Sequence, residues 1–446
     1  MSVLDKFASL AALKPTKKRA AAAGAGVVGD GGSGVVNLMR NPVRSAAACL
    51  PDGAEELAAI LEARALENEY GQHLSARKWF SEAIGHAAPD GDIDAAILNL
   101  LSPGACEGAC DPSQWLFLDT ETTGLTGGTG TYPFMVGIAW WDAGGLEVEQ
   151  FFMRDHSEEH ALLVTLAERI AERGVLVTFN GKSFDWPLLE TRYRMTRRIK
   201  VPALRAHLDF LHPARNLWRI RLGSVRLAEL EKHVLGFHRG ADLISAMIPQ
   251  FYFDYLRGGA VEPVVEIFKH NCWDLRGLAG LASRILAVLA EPEKHGKDPL
   301  ELFGVSRICE RRGETQRAQK HYAQSIEGDL LPAEADRLAR RALARMAKRD
   351  GNLEQARAMW ESMKGNSREG FEAFEQLAIY HEHVAGAPRE AAALAKQALV
   401  ELRRSRGVMS PALHRQYKER FEHRLARLER KSGKTLLDVD GVDARA

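Results

Sequence analysis

Two acids on one strand face are the first residues that could do chemistry. Asp119 and Glu121 lie one residue apart at the end of the apolar run WLFLD. Alternate side chains of a strand point to the same face, so this spacing predicts two neighbouring carboxylates. Such carboxylates repel each other, whereas a divalent cation such as Mg²⁺ takes both as ligands. The alternative is that both acids lie in a solvated turn.

Two later segments carry acids that could converge on the same place. Asp185 in VTFNGKSFDWPLL follows a strand-like run and begins a helical pattern, which puts it at an end of the sheet. His270 and Asp274 in EIFKHNCWDLRGLAGL are four residues apart and share one face of a predicted helix. A lone Asp-His pair is usually a polar helix face, but four acids able to converge favour a site.

A glycine-rich loop, GLTGGTGTYPF, follows the first two acids. It lacks the Gly-Lys-Ser/Thr ending of a phosphate-binding loop, so a nucleotide-binding phosphotransferase is disfavoured. Its composition lets backbone approach a nucleic-acid terminus closely, with Thr122 as a substrate contact and Tyr132 or Phe134 stacking on a base. The alternative is a hairpin connection whose aromatic rings lie in the core. Asn180 in FNG either binds substrate or holds a turn.

A basic segment carries the other predicted substrate contacts. The net charge of the chain is only +1, but residues 192–239 hold 12 Lys/Arg against 3 Asp/Glu. Within it, HPARNLWRIRLGSVR interleaves Arg215 and Arg219 with Trp218, a composition suited to phosphate contacts and base stacking. The alternatives are a solvated basic face and a buried tryptophan flanked by arginines.

The elements that must position these residues are predicted to form a mixed sheet with helices. WLFLD, FMVGIAWWD, LEVEQFFM and VLVTFN are β-rich runs, and the AGG between the second and third predicts a hairpin. Helical patterns follow and alternate with strands, and Asp209 in HLDFL lies on a further strand behind the predicted metal site. The sequence therefore predicts an α/β fold with helices on a mixed sheet.

The strand signal disappears after the segment EPEKHGKDP. Three similar helical segments start at Gly313, Gly351 and Ala387, a spacing close to the period of about 34 residues in tetratricopeptide repeats. The alternative is a plain helical bundle. The predicted domains are a flexible tether over 1–50, a helical lead-in over 51–112, the α/β domain over 113–292, a helical repeat domain over 297–432 and a flexible tail over 433–446.

Composition narrows the setting of the protein. No apolar stretch reaches the roughly 18 to 20 residues of a membrane span, so we expect no membrane partner. The N-terminal segment has its basic cluster after a weakly apolar stretch, an order that argues against a secretory signal. Five cysteines in 446 residues do not form a disulfide framework, which indicates a reducing cytoplasm.

Three motifs resemble a known nuclease superfamily. FLDTETTGL, FNGKSFDWPLL and HNCWDLRGL are similar to the exonuclease motifs of the DEDD superfamily, which has the ribonuclease H-like fold. DTETTGLTGGTGTYPFMVG, HLDFLHPARNLW and LAELEKHVLGFHR resemble more closely the YprB-like group of that fold. The resemblance covers about residues 114–289 and a short upstream ENEYGQH. The C-terminal helices also resemble members of the group.

The resemblance implies a role for each acid. Two Mg²⁺ or Mn²⁺ ions would be bridged by Asp119, with Glu121 and Asp274 completing the site that activates water and Asp185 holding the second ion. His270 would be the general base that orients or deprotonates the water. The spacing departs from the family pattern, because only three residues separate His270 from Asp274, where the histidine version has four. A purely structural His270 is the alternative.

The expected function is hydrolysis of phosphodiester bonds in nucleic acid, with 3′-5′ exonuclease direction implied by the resemblance. DNA and RNA are both open as substrates, with a single strand or a free 3′ end as the expected form. The helical repeats are a possible site for a protein partner. The rival function is a helical-repeat adaptor whose catalytically silent nuclease-like domain binds nucleic acid or protein.

Overall fold

A computed structural model describes residues 50–440, except 52, 90, 105–106, 125–128, 197–198, 297 and 406–408. Side chains are described up to residue 431, apart from that of residue 107. The tether predicted over 1–50 therefore lies outside the described residues, save for its last position. The middle of the glycine-rich loop does so too.

A seven-stranded mixed sheet forms the centre of the fold, in the order β1-β2-β5-β4-β3-β6-β7. The neighbouring strands of the part β1-β2-β5-β4-β3 pair antiparallel, whereas β6 pairs parallel with both β3 and β7. The predicted hairpin is confirmed, since β4 and β5 are joined by a turn at residues 143–144. The strands are β1 Arg64–Asn68, β2 Gly71–Phe80, β3 Trp115–Thr122, β4 Pro133–Asp142, β5 Gly145–Phe152, β6 Val175–Thr178 and β7 Ala206–Asp209.

The helical lead-in predicted over 51–112 is wrong in its central part. β1 and β2 occupy residues 64–80 and extend the sheet, because β2 pairs along its length with β5. This pairing satisfies the backbone groups of an edge that would otherwise be open, and it overrides the local helical spacing of the sequence. Only the flanking segments of the lead-in are helical.

Helices cover both faces of the sheet and continue beyond it, as the mixed α/β prediction requires. Short 3₁₀ turns lie at 107–109, 112–114, 156–158, 245–247 and 327–329, and a π-helical turn at 231–235. The helices are α1 Ala54–Leu61, α2 Ala95–Leu101, α3 Glu159–Arg173, α4 Asp185–Met195, α5 Leu211–Leu222, α6 Leu227–Leu230, α7 Ile248–Leu256, α8 Glu262–Ala290, α9 Pro292–His295, α10 Pro299–Arg311, α11 Thr315–Ile326, α12 Ala333–Arg349, α13 Leu353–Met363, α14 Arg368–His383, α15 Pro388–Arg404 and α16 Pro411–Asp440.

The alternation of β3 decides which helices its side chains meet. Trp115 and Phe117 lie in the core that includes α5 and α8, whereas Leu116 and Leu118 pack in the core under α3 and α4. The same alternation continues past the apolar part of the strand, so Asp119 is directed to the α8 face. The two cores therefore set the orientation of the acids that follow them.

The C-terminal region is all helical, from α10 to α16. Its first helices share a continuous apolar core with the sheet region, and within it Phe303 of α10 belongs to the same cluster as Trp218 of α5. The boundary predicted at 292–297 and the tetratricopeptide assignment stay predictions. The sequence predicts a flexible tail from residue 433, but the last helix continues to Asp440. Residues 441–446 lie outside the described residues. No helix of the described chain is long and apolar enough to cross a bilayer.

Candidate metal centre

The two acids of β3 lie at the strand end beside β4. Asp119 is directly opposite Gly137 of β4, and Gly137 is opposite Gln150 of β5, so the three residues form one row across the sheet. A Cβ on residue 137 would lie 2.0 Å from Oδ1 of Asn271. Glycine at this position therefore leaves the space through which Asn271 of α8 reaches the row.

Asn271 joins the ends of this row above the glycine. Its Nδ2 donates to Oδ2 of Asp119 at 2.8 Å, and its Oδ1 accepts from Nε2 of Gln150 at 2.8 Å. Gln150 also donates to the carbonyl of Phe268 at 2.8 Å, which fixes the orientation of its amide. Asn271 is fully buried. The network holds one oxygen of Asp119 in place, and no basic side chain of the described part of the chain pairs with this carboxylate.

His270 and Asp274 of α8 face the same strand end. Nε2 of His270 lies 3.4 Å from Oδ2 of Asp274 and 4.0 Å from Oε1 of Glu121. Glu121, His270 and Asp274 each offer a ligand atom, and these atoms lie within 4.8 Å of one another, a grouping that could hold a metal ion. Glu121 of the strand thus lies close to His270 and Asp274 of the helix, and convergence of all four predicted acids stays a prediction.

Asp185 enters from the opposite face of β3. It is the first residue of α4, and its Oδ1 accepts a 2.5 Å hydrogen bond from the hydroxyl of Thr120. Asp209 holds the loop that leads to it by accepting the amides of Asn180 at 2.9 Å and Lys182 at 3.1 Å. Asp209 therefore acts on the backbone before Asp185, in keeping with a predicted position behind the site.

Burial and mutual repulsion raise the pKa values of the clustered acids. Burial raises the pKa of Asp119 well above 3.8, and the charges of Asp274, Glu121 and Asp185 raise it further. Burial likewise raises the pKa of Glu121 well above 4.5, followed by the charges of Asp274 and Asp185. Burial raises the pKa of Asp185 against the opposing hydrogen bond from Thr120. Three adjacent acids thus favour protonation unless positive charge is supplied.

A second network surrounds Asp274 with groups from the segment after α6. Arg239 donates two 2.6 Å hydrogen bonds to Glu231 and a further hydrogen bond to Asp274, and its Nη1 lies 3.0 Å from Oδ2 of Asp242. Burial raises the pKa of Glu231 to about 7, against the hydrogen bonds and charge of Arg239. A Cβ on Gly277 would lie 1.9 Å from Oε1 of Glu231, so α8 accommodates this acid through a glycine.

His270 has a carboxylate partner on its other nitrogen. Its Nδ1 lies 2.7 Å from Oδ1 of Asp242. Burial opposes ionisation of Asp242, but hydrogen bonds and charge from His270 and Arg239 lower its pKa below 3.8 overall. Acids that Arg239 binds, Asp242 and Asp274, therefore lie next to three acids for which the described residues show no Lys or Arg partner.

The glycine-loop residues are engaged by the protein itself. The hydroxyl of Thr122 donates to the carbonyl of Gly124 at 2.9 Å. The ring of Tyr132 lies 4.0 Å from the guanidinium carbon of Arg192 and 4.7 Å from the ring of His156. Substrate contact by Thr122 and Tyr132 stays a prediction.

Phe134 and Asn180 lie where the alternatives to substrate binding predict, in the core and in a turn. Phe134 is fully buried and stacks on Tyr252 with ring centroids 4.0 Å apart, so its predicted base-stacking role is wrong. Asn180 has a positive φ of 72° and its amide binds Asp209, which is the geometry of a turn residue. Substrate binding by the Asn180 side chain stays a prediction.

The basic segment divides into an exposed part and a buried part. Arg215 and Arg219 are exposed on α5, where phosphate contact stays a prediction. Trp218 is fully buried, and its indole N–H donates to Oε1 of Glu301 on α10 at 2.7 Å. Base stacking by Trp218 is therefore wrong, because α10 covers the ring and satisfies its one donor. The buried tryptophan flanked by arginines is confirmed.

Several residues of the centre are not predicted from the sequence. Asn271 directly follows His270 in a predicted motif, so its position on α8 is the one available signal. Gln150, Asp242 and Arg239 lie on an ordinary strand or an irregular segment, and their approach depends on sheet register and chain path. Glu231 lies in LAELEKHVLGFHR, a segment quoted for its resemblance without a role for any residue.

Known proteins identify the family. Residues 116–286 match the family described as RNase_H superfamily. The uncharacterized protein YprB of Bacillus subtilis (strain 168) is 31% identical over 323 residues, which cover 71% of this chain and 74% of YprB. The chain belongs to the RNase H superfamily, in the family of YprB. It therefore contains a nuclease-like domain, and the suspected family resemblance is confirmed.

A solved structure is also similar to this RNase H superfamily member. The family B DNA polymerase from the hyperthermophilic archaeon Pyrobaculum calidifontis is 15% identical, with a TM-score of 0.34. The similarity covers 48% of this chain, which spans 29% of the length of the polymerase.

The residues of the centre fit an oxygen-liganded divalent cation. Glu121 and Asp274 offer oxygen atoms within 4.8 Å of one another, and the charges of Asp119 and Asp185 interact with them. Hard cations such as Mg²⁺ and Mn²⁺ prefer oxygen ligands. The raised pKa values give an independent reason, because a bound cation would favour the ionised acids. The donor set therefore suits the metal that the superfamily typically uses.

Proposed function

We propose that this protein is a metal-dependent nuclease that removes nucleotides from the 3′ end of nucleic acid by hydrolysis. The observation that carries the proposal is the mutual charge repulsion of Asp119, Glu121, Asp185 and Asp274, with no Lys or Arg partner on the first three among the residues that the structure describes. Four acids around a strand end repel the phosphates of a nucleic acid. A cation would reverse that repulsion and so allow substrate to approach.

The metal site would be formed by side chains from both faces of β3. The charges of Asp274, Glu121 and Asp185 all act on Asp119, so Asp119 would hold both ions together with these acids, as the resemblance implies. When bound, such ions polarise the phosphate and favour ionisation of a water molecule. Asn271 would hold the orientation of Asp119, and Thr120 that of Asp185, before any substrate arrives.

His270 is the proposed proton acceptor of the reaction. Its Nε2 faces Glu121 and Asp274, while its Nδ1 is engaged by Asp242. A histidine with one free nitrogen beside metal-binding carboxylates can orient or deprotonate a water molecule. A purely structural histidine would not need a nitrogen aimed at this group of acids.

Substrate would approach from the exposed side of the strand end. Phe184 immediately precedes Asp185 and is 61% exposed, so its ring is available for contact with a base. Arg215 and Arg219 lie on α5, the helix that follows β7, and could contact phosphates farther from the centre. We propose Mg²⁺ or Mn²⁺ as the cofactor, the cytoplasm as the location and the C-terminal helices as a possible protein contact.

Cleavage of 5′-labelled oligonucleotides tests the proposal. Single-stranded RNA and DNA of the same sequence are incubated with the protein in Mg²⁺, Mn²⁺ or EDTA, and the products are resolved by length. We expect a ladder that shortens from the 3′ end with either metal and no products in EDTA. The same ladder in EDTA would refute the metal requirement, and internal cuts without a ladder would refute the exonuclease direction.

Two variants separate the proposed centre from a contaminating nuclease. Asp119→Asn should abolish the ladder, while Asp254→Asn, an exposed acid of α7 that pairs with Arg257, should leave it unchanged. Retained binding of oligonucleotide by the parent protein with no cleavage in any metal would instead support the adaptor function.

A further inference from the structure

Asp242 is a residue of the centre that none of the three nuclease motifs contains. It lies in the irregular segment between the π-helical turn and α7, yet its Oδ1 is 2.7 Å from Nδ1 of His270. The backbone amide of Leu243 donates to the same oxygen at 2.8 Å. His270 is 7% exposed and the Asp242 side chain is 23% exposed, so this contact is partly buried.

We propose that Asp242 is a positioning residue for the hydrolysis: it holds His270 with the proton on Nδ1, so that Nε2 faces Glu121 and Asp274 as the proton acceptor. This inference rests on the proposed function. A neutral imidazole carries one N–H, and a carboxylate can only accept, so a hydrogen bond between Nδ1 and Asp242 requires the proton on Nδ1. Nε2 is then left with its lone pair free.

Arg239 makes Asp242 a fixed partner. Its Nη1 lies 3.0 Å from Oδ2 of Asp242, so one oxygen of this carboxylate binds Arg239 and the other binds His270. The same guanidinium binds Asp274, one helical turn from His270, and it is held in place by donating two hydrogen bonds to buried Glu231. One cation therefore fixes both the acid on Nδ1 and the acid facing Nε2.

A purely structural reading makes a different prediction for Asp242. If it only anchors the segment to α8, its loss would lower stability and affect the reaction whether or not His270 is present. If it acts through His270, its loss matters only while His270 is there. The two readings are separated by combining the variants at both positions.

Single-turnover and steady-state cleavage of labelled oligonucleotide provide the kinetic test. We expect Asp242→Ala to lower kcat by about 10²-fold with KM changed by less than about twofold, since proton transfer and not binding is affected. In the His270→Ala background the same change should lower kcat by less than about threefold. Asp254→Ala is the matched control and should keep parental kcat.

Either of two kinetic results would overturn the proposal. Asp242→Ala with parental kcat would show that His270 needs no carboxylate, and equal fold losses in both backgrounds would show that Asp242 acts independently of His270. Thermal unfolding of each variant is measured alongside, so that a loss of kcat caused by unfolding is recognised.

Imidazole nitrogen NMR tests the same geometry without any activity. Correlation spectra of ¹⁵N-histidine-labelled protein at a pH where His270 is neutral report which nitrogen carries the proton, and His270→Gln identifies its signals. We expect the Nδ1–H form in the parent protein. The Nε2–H form there would overturn the proposal even if Asp242→Ala fails to fold.

Failure of this inference and failure of the proposed function give different results. A parent protein that cleaves neither polymer with any metal refutes the proposed function, and with it the positioning role of Asp242. A parent that cleaves while Asp242→Ala retains full kcat refutes the role of Asp242 alone.

Discussion

The metal centre and the C-terminal helices differ in how their charged side chains are paired. Between α12, α14 and α16, acids and bases pair across adjacent helices, with Arg341 2.7 Å from Glu372 and Arg424 2.9 Å from Glu382. At the end of β3, Asp119, Glu121 and Asp185 meet without a Lys or Arg ion pair among the described residues. The helices therefore supply both the negative and the positive partner of each ion pair, whereas the centre supplies mainly negative charge.

This difference indicates what each region is built to do. Paired charges contribute to the packing of the helices and leave little unbalanced charge there. Clustered acids oppose folding, because burial raises their pKa values and each raises the pKa of the next. A site that lowers stability in this way is characteristic of function, since the acids are positioned for a partner that brings positive charge.

The largest expected effect comes from Asp119→Asn. We expect cleavage to fall by about 10³-fold or more, because a metal ligand is lost and several kcal/mol of transition-state stabilisation with it. The melting temperature in EDTA should rise, because a buried carboxylate is replaced by an amide of the same shape. Calorimetry and the cleavage assay measure both, and a lower melting temperature would contradict the electrostatic account.

Arg239→Met tests the one part of the centre that resembles the helices. Arg239 is 6% exposed at its side chain and binds Glu231, Asp242 and Asp274. Removing it leaves buried acids without a partner, and we expect a loss of about 3 to 5 kcal/mol in the free energy of unfolding. Urea denaturation measures this loss. An unchanged midpoint would show that the guanidinium does not hold these acids together.

Glu382→Gln is the matched change in the helices. Glu382 is buried between Arg424 and Arg427, at 2.9 and 2.5 Å. We expect the free energy of unfolding to fall by about 2 kcal/mol, because two charge-assisted hydrogen bonds are weakened. Cleavage of a short oligonucleotide should not change. A stabilised Glu382→Gln protein would remove the contrast with Asp119→Asn.

The pH dependence of metal-free stability distinguishes the regions further. An acid whose pKa is raised on folding keeps its proton in the folded state, so its stability contribution is lost as pH rises above the ordinary carboxyl pKa of about 4. In EDTA, the parent should therefore lose melting temperature relative to Asp119→Asn between pH 5 and 8. Mn²⁺ should reduce this difference at pH 8. A difference independent of pH would mean that Asp119 has an ordinary pKa.

The smallest expected effect concerns the exposed arginines of α5. Replacing Arg215 and Arg219 together by alanine should raise KM several-fold, with kcat unchanged, and lower the salt dependence of oligonucleotide binding. Each contact contributes about 1 kcal/mol or less at an exposed position. Arg349→Ala, an exposed residue at the end of α12, is the control. Equal KM values in the double variant and in Arg349→Ala would show that the substrate does not contact Arg215 and Arg219.

Much of the fold follows from local patterns in the sequence. The central strands are predicted because their apolar runs match buried sheet positions, and the acids are predicted because alternation along β3 and the helical spacing on α8 place them on facing sides. β1 and β2 are missed because their pairing with β5 is a tertiary interaction that local helical spacing does not reveal.

Side-chain environment is harder to predict than the position of an element. Trp218 and its neighbouring arginines have the composition of a nucleic-acid surface, but the fold turns the ring toward Glu301 of α10, a partner 83 residues away. Asp242 and Arg239 reach the centre through an irregular segment whose path no periodicity specifies. The candidate metal ligands could be proposed from sequence, but the residues that orient them could not.

Calorimetric titration of the metal-free protein with Mn²⁺ tests the central claim most directly. The parent and Glu382→Gln proteins should bind Mn²⁺ with the same affinity and stoichiometry, whereas Asp119→Asn should lose most of the binding heat. Equal binding by all three proteins would contradict the claim, because the acids at the end of β3 would then not form the metal site.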